Sequence, residues 1–494
     1  MGTHFVFRGL LYSGAATDDA EQLLFSQEFR LGYDTSNPPL YTWLVIFAQW
    51  FTGIKIMSVS LVKFFSYGLI FIFFYHCAIS VLRDKFLSSL ATLSIIWFYY
   101  LGWDAVLSYS HSVFSTCLIL ASIFVIFKII ILGHFYLYII LGVVMGLGLL
   151  SKYTFVIFIF SFIASGILTP QTRGRFLNPM MLLSIVIMGI IFLPHGLWVL
   201  ERTDLIEPAI TQKFKINNLS GFFVTRLQGV LSLISASISF LSPLWVLLCI
   251  CFWRCIKITN WSRRAISPLI SILTNYFWIL GGFLIFIILI FGVTKVRVHY
   301  MFVLIPAPIV FFALIQPSLK TSGSKYFFSY AIVLGLFLTS FGIVIKYLSE
   351  PIRCSLCQLI VPYSDLKRKF EEIGFYNGTI FAYYYPHDIA GNLRVAFPAA
   401  RIISSKFPRL SPKANKVPGQ CLVVWTPKPQ GSMNGLGMAQ MLNKYLKGNL
   451  PVSDWSRNED KVPERFINFA FDRNLNRVGK FGYMLFRRGV GNCK

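Results

Sequence analysis

The sequence predicts a polytopic α-helical membrane protein with a small soluble α/β domain at its C-terminal end. Three observations predict this fold class: 56% of the residues are hydrophobic, only 13% are charged, and the long apolar runs stop near residue 347. A soluble domain carries about twice that share of charge and could not bury so much apolar surface. We therefore expect a helical bundle over residues 1–347, beginning with an outer loop over 1–56, and a soluble domain over 348–494.

About ten segments are long and apolar enough to cross a bilayer as helices. They cover residues 57–82, 86–101, 106–127, 135–150, 153–169, 180–200, 229–253, 270–293, 300–316 and 326–347. Basic residues such as Lys128 and Lys257 concentrate in alternate loops, and the positive-inside rule makes those loops cytoplasmic. The remaining loops and the C-terminal domain then face outward, away from the cytoplasm.

This topology requires the segment before residue 57 to lie outside as well. Residues 1–17 are too short and too polar to cross the bilayer. Either the sequence starts inside a longer reading frame and one helix is missing upstream, or a short N-terminal tail is translocated; we expect the missing helix. Residues 18–53 then form an outer loop with two interfacial helices, over 19–30 and 41–52.

The net charge of +25 would indicate nucleic-acid binding in a soluble protein. Here the basic residues lie between the apolar runs and in the C-terminal domain, where anionic lipid is the expected partner. The charge therefore predicts contact with anionic membrane lipid, and no nucleic acid.

The C-terminal domain alternates between helical and extended patterns. We predict helices over residues 366–373 and 438–446, and strands over 379–385, 393–397, 421–425 and 481–486. Four cysteines lie in this domain: Cys354, Cys357, Cys421 and Cys493. They can pair if the domain faces an oxidising compartment, but the spacing leaves the pairing open. No second ligand pair follows Cys354 and Cys357 at zinc-site spacing, so zinc is not predicted there.

An acidic run, TDDAEQ, occupies residues 17–22 at the start of the first interfacial helix. Asp18 and Asp19 lie where the helix dipole favours negative charge, which also suits ordinary helix capping. The functional alternative is a general base or a metal-binding acid at a membrane-surface cleft, with Glu21 and Gln22 lining that cleft. The sequence leaves open whether a divalent metal is required, and predicts no other cofactor.

Basic groups recur at the outward ends of the predicted spans. Lys152 follows a glycine-rich helix, and Lys295, Arg297 and His299 precede another helix together with Tyr300. A lysine at a helix end can also extend its amine to the lipid interface without further function. The functional interpretation is a site for a lipid phosphate, because fixed cations stabilise the negative charge of a departing phosphate.

Five further residues are candidates for the substrate cleft: Asp104, His111, Tyr153, His195 and Arg226. Asp104 and His111 lie seven residues apart, about two turns along one helix face. Asp104 could equally cap a helix, and a single histidine in a bundle is more often a satisfied hydrogen-bonding group. Pro194 is expected to kink the helix beside His195.

The order of several motifs resembles the GT-C membrane glycosyltransferases. The matching segments are residues 17–22 (TDDAEQ), 37–44 (NPPLYTWL), 110–113 (SHSV), 146–153 (GLGLLSKY), 194–198 (PHGLW), 391–394 (GNLR) and 397–398 (FP). Within that fold they are similar to the protein O-mannosyltransferase and aminoarabinose-transferase group, glycosyltransferase family 39 and its relatives. The nearest resemblance is to bacterial galacturonosyl transferases that modify lipopolysaccharide.

The resemblance implies an inverting transferase that uses a polyprenyl-phosphate sugar as donor. It implies lipid A or the lipopolysaccharide core as acceptor, and Asp18 as the acidic residue that deprotonates or orients that acceptor. Family members often carry a Glu at the position of Asp19 and an Asp near His111, so the roles of these two residues are left open.

Two other functions remain as alternatives. One is a protein O-glycosyltransferase with the same donor chemistry. The other is a transporter or lipid flippase, which would place charges deep inside the spanning helices. The charged residues of this chain concentrate at helix ends instead, with Lys63 as the main exception.

Overall fold

The structure is a computed structural model and describes most of the chain. The described residues are 14–15, 17–105, 109–202, 221–258, 267–319, 323–353, 359–383, 389–407, 409–410, 412–413, 419–425, 466–470, 478–487 and 493. The chain divides into two compact units. The tail unit comprises Met1–Arg30, Thr42–Val62 and Gly342–Lys494, and the bundle unit comprises Leu31–Tyr41 and Lys63–Phe341. The domain boundary drawn at residues 347 and 348 stays a prediction.

Helices dominate both units. In chain order the α-helices are α1 (Thr17–Phe25), α2 (Leu40–Thr52), α3 (Ile56–Leu82), α4 (Lys85–Leu93), α5 (His111–Leu132), α6 (Phe135–Ser151), α7 (Phe155–Leu168), α8 (Arg173–Phe176), α9 (Pro179–Leu200), α10 (Phe222–Leu241), α11 (Leu244–Ile258), α12 (Pro268–Phe291), α13 (Ala307–Ile315), α14 (Ser324–Arg353), α15 (Tyr363–Glu372) and α16 (Ala390–Ala396). Short 3-10 helices cover Ser94–Trp97, Val298–Leu304 and Gln316–Leu319, and a π-helical turn covers Tyr100–Asp104.

Membrane-spanning character is confirmed by the length and apolarity of these helices. Among the described residues, six helices are long and apolar enough to cross a bilayer, and the bent pair Val298–Leu304 with Ala307–Leu319 makes a seventh if the pair is one span. Helices α6 and α7 are apolar but shorter than 18 residues. The fold class is therefore confirmed, while the count of about ten spans stays a prediction.

Two predicted spans are broken in the structure. The span predicted over residues 229–253 is wrong, because α10 ends at Leu241 and α11 begins only at Leu244. The break falls at Pro243, which lacks the backbone N–H that a continuous helix needs. The span predicted over residues 86–101 is also interrupted, since α4 gives way to the 3-10 helix Ser94–Trp97 and then to the π-helical turn that ends at Asp104.

Glycines bring helix α6 close to helix α9 in the bundle unit. A Cβ on Gly142 would lie 2.7 Å from the Ser184 carbonyl oxygen, and one on Gly146 would lie 2.8 Å from the Ile191 Cβ. Real side chains do not fit at such distances, so these positions favour glycine. The close packing fixes the direction of α6, whose last residue, Ser151, precedes Lys152.

The tail unit contains a five-stranded mixed sheet. Its strands are β1 (Gly378–Ala382), β2 (Arg401–Ser404), β3 (Gln420–Trp425), β4 (Phe466–Ala470) and β5 (Val478–Phe486), in the order β2-β1-β3-β5-β4. Strand β1 pairs in parallel with β2 and β3, while β5 pairs antiparallel with β3 and β4. The predicted α/β character of this part of the chain is confirmed.

One predicted strand in the tail unit is wrong. Residues 393–397 belong mainly to helix α16, although Leu393, Val395 and Phe397 alternate with other residues as in a strand. The first interfacial helix also ends earlier than predicted, at Phe25 rather than residue 30. The helix predicted over 438–446, and Cys354 with Cys357, lie outside the described residues.

A disulfide joins two of the four cysteines of the C-terminal segment. Cys421, on β3, is bonded to Cys493, with the two Cα atoms 5.6 Å apart. Cys493 and Cys421 both belong to a small core with Phe381, Val423 and Trp425. The bond therefore links Cys493 covalently to the sheet at strand β3.

Replacing both Cys421 and Cys493 by Ser should loosen strand β3. A loop of 72 residues corresponds to roughly 4 kcal/mol of stabilisation in the chain-entropy account. Amide hydrogen exchange of the β3 peptide should accelerate in the double variant of the full-length protein. Cys249→Ser, at a free and exposed cysteine, should leave the exchange of β3 unchanged; equal exchange in both variants would contradict the stabilising role.

Candidate active site

The predicted site residues fall into two groups, one in each unit, and each group is described by itself. In the tail unit, Asp18 and Asp19 form the first turn of α1. Asp18 is half-buried, whereas Asp19 is only 3% exposed. Both carboxylates lie at the helix end where the dipole favours negative charge.

Glu21 and Gln22 face other parts of the tail unit. Glu21 forms an ion pair with Lys406, which follows strand β2. Gln22 is 1% exposed, and its Oε1 accepts a hydrogen bond of 2.6 Å from the Thr42 hydroxyl. Both side chains thus anchor α1, and their predicted place in a substrate cleft stays a prediction. Lys406 was missed by the sequence analysis because no local motif marks a single lysine after a strand.

In the bundle unit, Lys152 lies at the end of α6 among Ser112, His299, Tyr300 and Phe302, and we call these five residues the lysine cluster. The Lys152 ammonium donates hydrogen bonds to the Ser112 hydroxyl at 2.5 Å and to the His299 carbonyl at 3.2 Å. It also lies 5.4 Å from the ring centroid of Tyr300 and 5.8 Å from that of Phe302. The structure therefore brings together three candidates from distant parts of the sequence: Lys152, His299 and Tyr300.

Two further aromatic contacts involve His299 of this cluster and His111, the sequence neighbour of Ser112. The His299 ring stacks on Tyr109 with centroids 5.7 Å apart. His111, one residue before Ser112, lies with its ring 5.3 Å from that of Tyr41. Ser112 and Tyr109 were not predicted as site residues, although Ser112 belongs to the SHSV motif at residues 110–113.

The other basic candidates differ from Lys152 in exposure. Lys295 and Arg297 are both exposed in the segment that leads to His299. Arg226 is half-buried and donates to the Leu289 carbonyl at 3.2 Å and to the Thr225 hydroxyl at 3.0 Å. Arg226 therefore joins α10 to the C-terminal end of α12, and its role in phosphate binding stays a prediction.

His195 is fully buried and is held through both ring nitrogens. Its Nδ1 lies 2.7 Å from the Leu31 carbonyl oxygen, and its Nε2 lies 3.0 Å from the Tyr153 hydroxyl. A carbonyl only accepts, so Nδ1 carries the proton, and in the neutral ring Nε2 accepts from Tyr153. Burial, together with the nearby Asp34 carboxylate, raises the pKa of Tyr153, which keeps its hydroxyl protonated. Trp198 stacks on the His195 ring with centroids 5.6 Å apart.

Asp104 ends the π-helical turn Tyr100–Asp104 and is half-buried. It accepts a hydrogen bond from the Tyr99 hydroxyl. Within the ranges that the structure describes, no three His, Cys, Asp or Glu side chains form a group that could hold a metal ion. The described part of the chain thus presents charged and aromatic groups for substrate binding, and the question of a metal stays open.

The chain is a multi-pass membrane protein, and its fold and the order of these groups resemble those of membrane glycosyltransferases of the GT-C type. Residues 36–198 match the family model described as dolichyl-phosphate-mannose-protein mannosyltransferase. The resemblance noted from the motifs is therefore confirmed, as is the assignment of the chain as an enzyme that transfers a sugar.

Two curated relatives come from Rhizobium johnstonii. The lipopolysaccharide core galacturonosyltransferase RgtB is 29% identical over 225 residues, which cover 45% of this chain and 45% of RgtB. The lipopolysaccharide core galacturonosyltransferase RgtA is 25% identical over 464 residues, which cover 90% of this chain and 88% of RgtA. The match with RgtB thus spans less than half of that relative, whereas the match with RgtA spans most of it.

Solved structures of ArnT from Cupriavidus metallidurans share the fold. ArnT bound to undecaprenyl phosphate superposes with a TM-score of 0.57 at 10% identity, covering 98% of this chain and 96% of ArnT. The apo form of ArnT gives the same TM-score at 12% identity. This similarity extends over both units of the chain, at a level of identity that shows the fold alone.

Tyr153→Phe should destabilise the bundle unit. The substitution leaves the buried Nε2 of His195 without its donor, which costs roughly 1–3 kcal/mol. The thermal midpoint of the detergent-purified protein should fall, whereas Tyr136→Phe, at an exposed ring of α6, should leave it unchanged. Equal midpoints for the two variants would show that the bond to His195 contributes nothing.

Proposed function

We propose that the chain transfers a monosaccharide from a polyprenyl-phosphate donor to lipid A or to the lipopolysaccharide core, at the periplasmic face of the inner membrane. The observation that carries this proposal is the lysine cluster, in which Lys152 is only 8% exposed and its ammonium is held beside two aromatic faces. The similarity to RgtA and RgtB supports lipopolysaccharide as the acceptor, and the undecaprenyl phosphate bound by ArnT supports the donor class.

On the donor side, Lys152 binds the phosphate that becomes the leaving group. Ser112, the His299 carbonyl and the rings of Tyr300 and Phe302 fix the ammonium in place and stabilise a cation. As the bond from the sugar carbon to the phosphate oxygen breaks, the electron pair stays on the phosphate. A fixed cation stabilises that growing negative charge without reorganisation. Lys295 and Arg297 add positive charge to the same segment, which leads to His299.

On the acceptor side, Asp18 is the general base. The acceptor hydroxyl oxygen attacks the sugar carbon opposite the phosphate, its proton passes to the Asp18 carboxylate, and the sugar carbon is inverted in this single displacement. A hydroxyl loses its proton only far above neutral pH, so a positioned carboxylate accelerates the attack. For an acceptor that is already an anionic phosphate, Asp18 would orient the acceptor instead.

The disulfide supports a periplasmic C-terminal domain. Bonds such as that between Cys421 and Cys493 persist in oxidising compartments, which include the bacterial periplasm. The positive-inside distribution of lysines and arginines leads to the same orientation. An outward domain with excess basic charge suits an anionic glycolipid acceptor.

A protein acceptor is the second candidate function. The matching family model is described by protein mannosyl transfer, and the donor chemistry would be the same. The two functions differ only in the acceptor, so analysis of the modified product separates them.

Asp18→Asn should abolish most of the transfer. Mass spectrometry of lipid A and core from a deletion strain should show a missing monosaccharide, which the wild-type gene restores and the Asp18→Asn gene does not. Loss of a general base lowers the rate about 10²- to 10⁴-fold. Asp365→Asn, which alters another first-turn aspartate of the tail unit, should restore the sugar fully.

Three other results would each count against part of this proposal. Full restoration by Asp18→Asn, at normal membrane insertion, would reject Asp18 as the base. Unchanged lipopolysaccharide in the deletion strain would reject that acceptor, and a sugar missing from periplasmic proteins would instead support the protein acceptor.

Lys152→Met should weaken transfer much more than Lys128→Met. Lys128 also lies beside a ring, with its ammonium 5.4 Å from the Phe124 centroid, but outside the lysine cluster. Removing a fixed group that stabilises transition-state charge costs about 10²- to 10³-fold in kcat. Binding of undecaprenyl phosphate to the purified protein should weaken in Lys152→Met alone. Equal affinities in both variants would place the phosphate elsewhere.

A further inference from the structure

A short helix of the C-terminal segment holds the chain just before the acidic helix α1. The side-chain amide of Asn392, in α16, makes two hydrogen bonds to one residue, Ala15. Its Oδ1 accepts from the Ala15 N–H at 2.7 Å, and its Nδ2 donates to the Ala15 carbonyl at 2.9 Å. Ala15 lies three residues before Asp18, so this pair fixes the backbone where the acidic run begins.

The same helix α16 holds the opposite end of α1. The Arg394 Nη2 donates to the Ser26 carbonyl at 3.1 Å, one residue after α1 ends at Phe25. Carbonyls at a helix C-terminus lack partners within the helix, and the dipole there favours a cation. Arg394 is 7% exposed, and burial lowers its pKa to about 10, which leaves it charged at neutral pH.

Between these two points the helices touch at their backbones. A Cβ on Gly391 would lie 1.9 Å from the Ala20 carbonyl oxygen. No side chain fits there, so α1 and α16 can approach closely only with glycine at this position. Ala20 directly follows Asp19 in α1. The contacts at residues 15, 20 and 26 therefore run along the whole length of the acidic helix.

We propose that Gly391, Asn392 and Arg394 are positioning residues that set the rotation and axial position of α1, and thereby the direction of the Asp18 carboxylate. This inference rests on the proposed role of Asp18 as the base. Three attachment points, one at each end and one in the middle, fix a nine-residue helix against both sliding and turning. A misplacement of about 1 Å in a catalytic group can cost roughly 100-fold in rate.

The chemistry of Arg394 favours positioning over fold stability alone. Its Nε has no hydrogen-bond partner among the described residues. A buried charge with an unsatisfied N–H is costly, and an apolar side chain of similar size would stabilise a core as well or better. What an apolar side chain cannot do is donate to the Ser26 carbonyl and so hold the end of α1.

The experiment compares Asn392→Ala and Arg394→Met with Arg401→Met in the full-length protein, reconstituted in lipid nanodiscs. Arg401 is a control of similar burial, since it is 9% exposed and its Nε donates to the Pro412 carbonyl at 2.8 Å, while its charge acts on Glu28, three residues beyond the end of α1. Hydrogen exchange of the α1 peptide reports whether the helix is held. Transfer kinetics with a polyprenyl-phosphate sugar and purified lipopolysaccharide report whether Asp18 is aligned.

We expect faster exchange of α1 in Asn392→Ala and Arg394→Met, and kcat lower by about 10- to 100-fold at unchanged KM for the donor. Arg394→Lys, which keeps a cation near the Ser26 carbonyl, should recover part of kcat. Combining Asn392→Ala with Asp18→Asn should lower kcat no further than Asp18→Asn alone, because there is no base left to align. Arg401→Met should change neither α1 exchange nor kcat.

Each contrary result has one meaning. Unchanged exchange of α1 in both variants would overturn the attachment itself. Faster exchange with unchanged kcat, in a protein that needs Asp18, would overturn the positioning role. An equal loss of kcat in Arg401→Met would show that the effect is one of general stability, and would also overturn the positioning role. Full activity of Asp18→Asn would reject the proposed base, while the exchange measurement would still decide whether α16 holds α1.

Discussion

Polar and charged groups inside an apolar bundle have to be satisfied by other protein groups, because lipid offers them no hydrogen bonds. This constraint governs how the few charged residues of the chain are placed. The Lys152 ammonium is held by a hydroxyl, a carbonyl and two aromatic faces. His195 is satisfied at both nitrogens by Leu31 and Tyr153. A buried group that is fixed in this way has a defined direction, which is what binding a phosphate or orienting a loop requires.

In the tail unit, buried polar groups likewise form hydrogen bonds to other protein groups, which here belong to a sheet and the helices packed on it. Its mixed sheet supplies a rigid frame, and α16 and the segment around Lys406 connect that frame to α1 through backbone carbonyls, an amide and an ion pair. Two of these contacts are made to the main chain of residues that flank α1, Ala15 and Ser26. They therefore constrain where the helix lies and do not themselves involve the side chains of Asp18 and Asp19.

Much of the fold could be predicted from the sequence, because hydrophobic length and loop charge are local properties. The bundle, the tail sheet and helices α2 and α3 follow from runs that can be counted along the chain. The break at Pro243 was predictable in principle, but the apolar residues on both sides concealed it. The helix at residues 390–396 was not predictable, because seven residues fit the repeat of a strand as well as the repeat of a helix. The packing of Gly391 against Ala20 decides in favour of the helix.

The residues of the candidate site also divide into those that a local sequence pattern indicates and those that only the structure reveals. Lys152, His299 and Tyr300 were predicted as a group from their shared position at helix ends, and the structure brings them together. Tyr109 and Lys406 carry no signal of their own, since each acts only through a partner far away in sequence. Ser112 and Asn392 belong to the motifs SHSV and GNLR, which indicate a family but not the contact that each residue makes. Arg226 was predicted from its position alone, and in the structure its guanidinium links helix α10 to the Leu289 carbonyl of α12.

The contact between Gly391 and Ala20 has a practical consequence for protein engineering. Because the two backbones touch without an intervening side chain, the surfaces of α1 and α16 are complementary only as a matched pair. A chimera that exchanges the C-terminal domain between relatives, in search of a new acceptor, would have to carry the acidic helix with it. The natural unit of exchange is thus discontinuous in sequence, formed by the first interfacial helix and the C-terminal domain together.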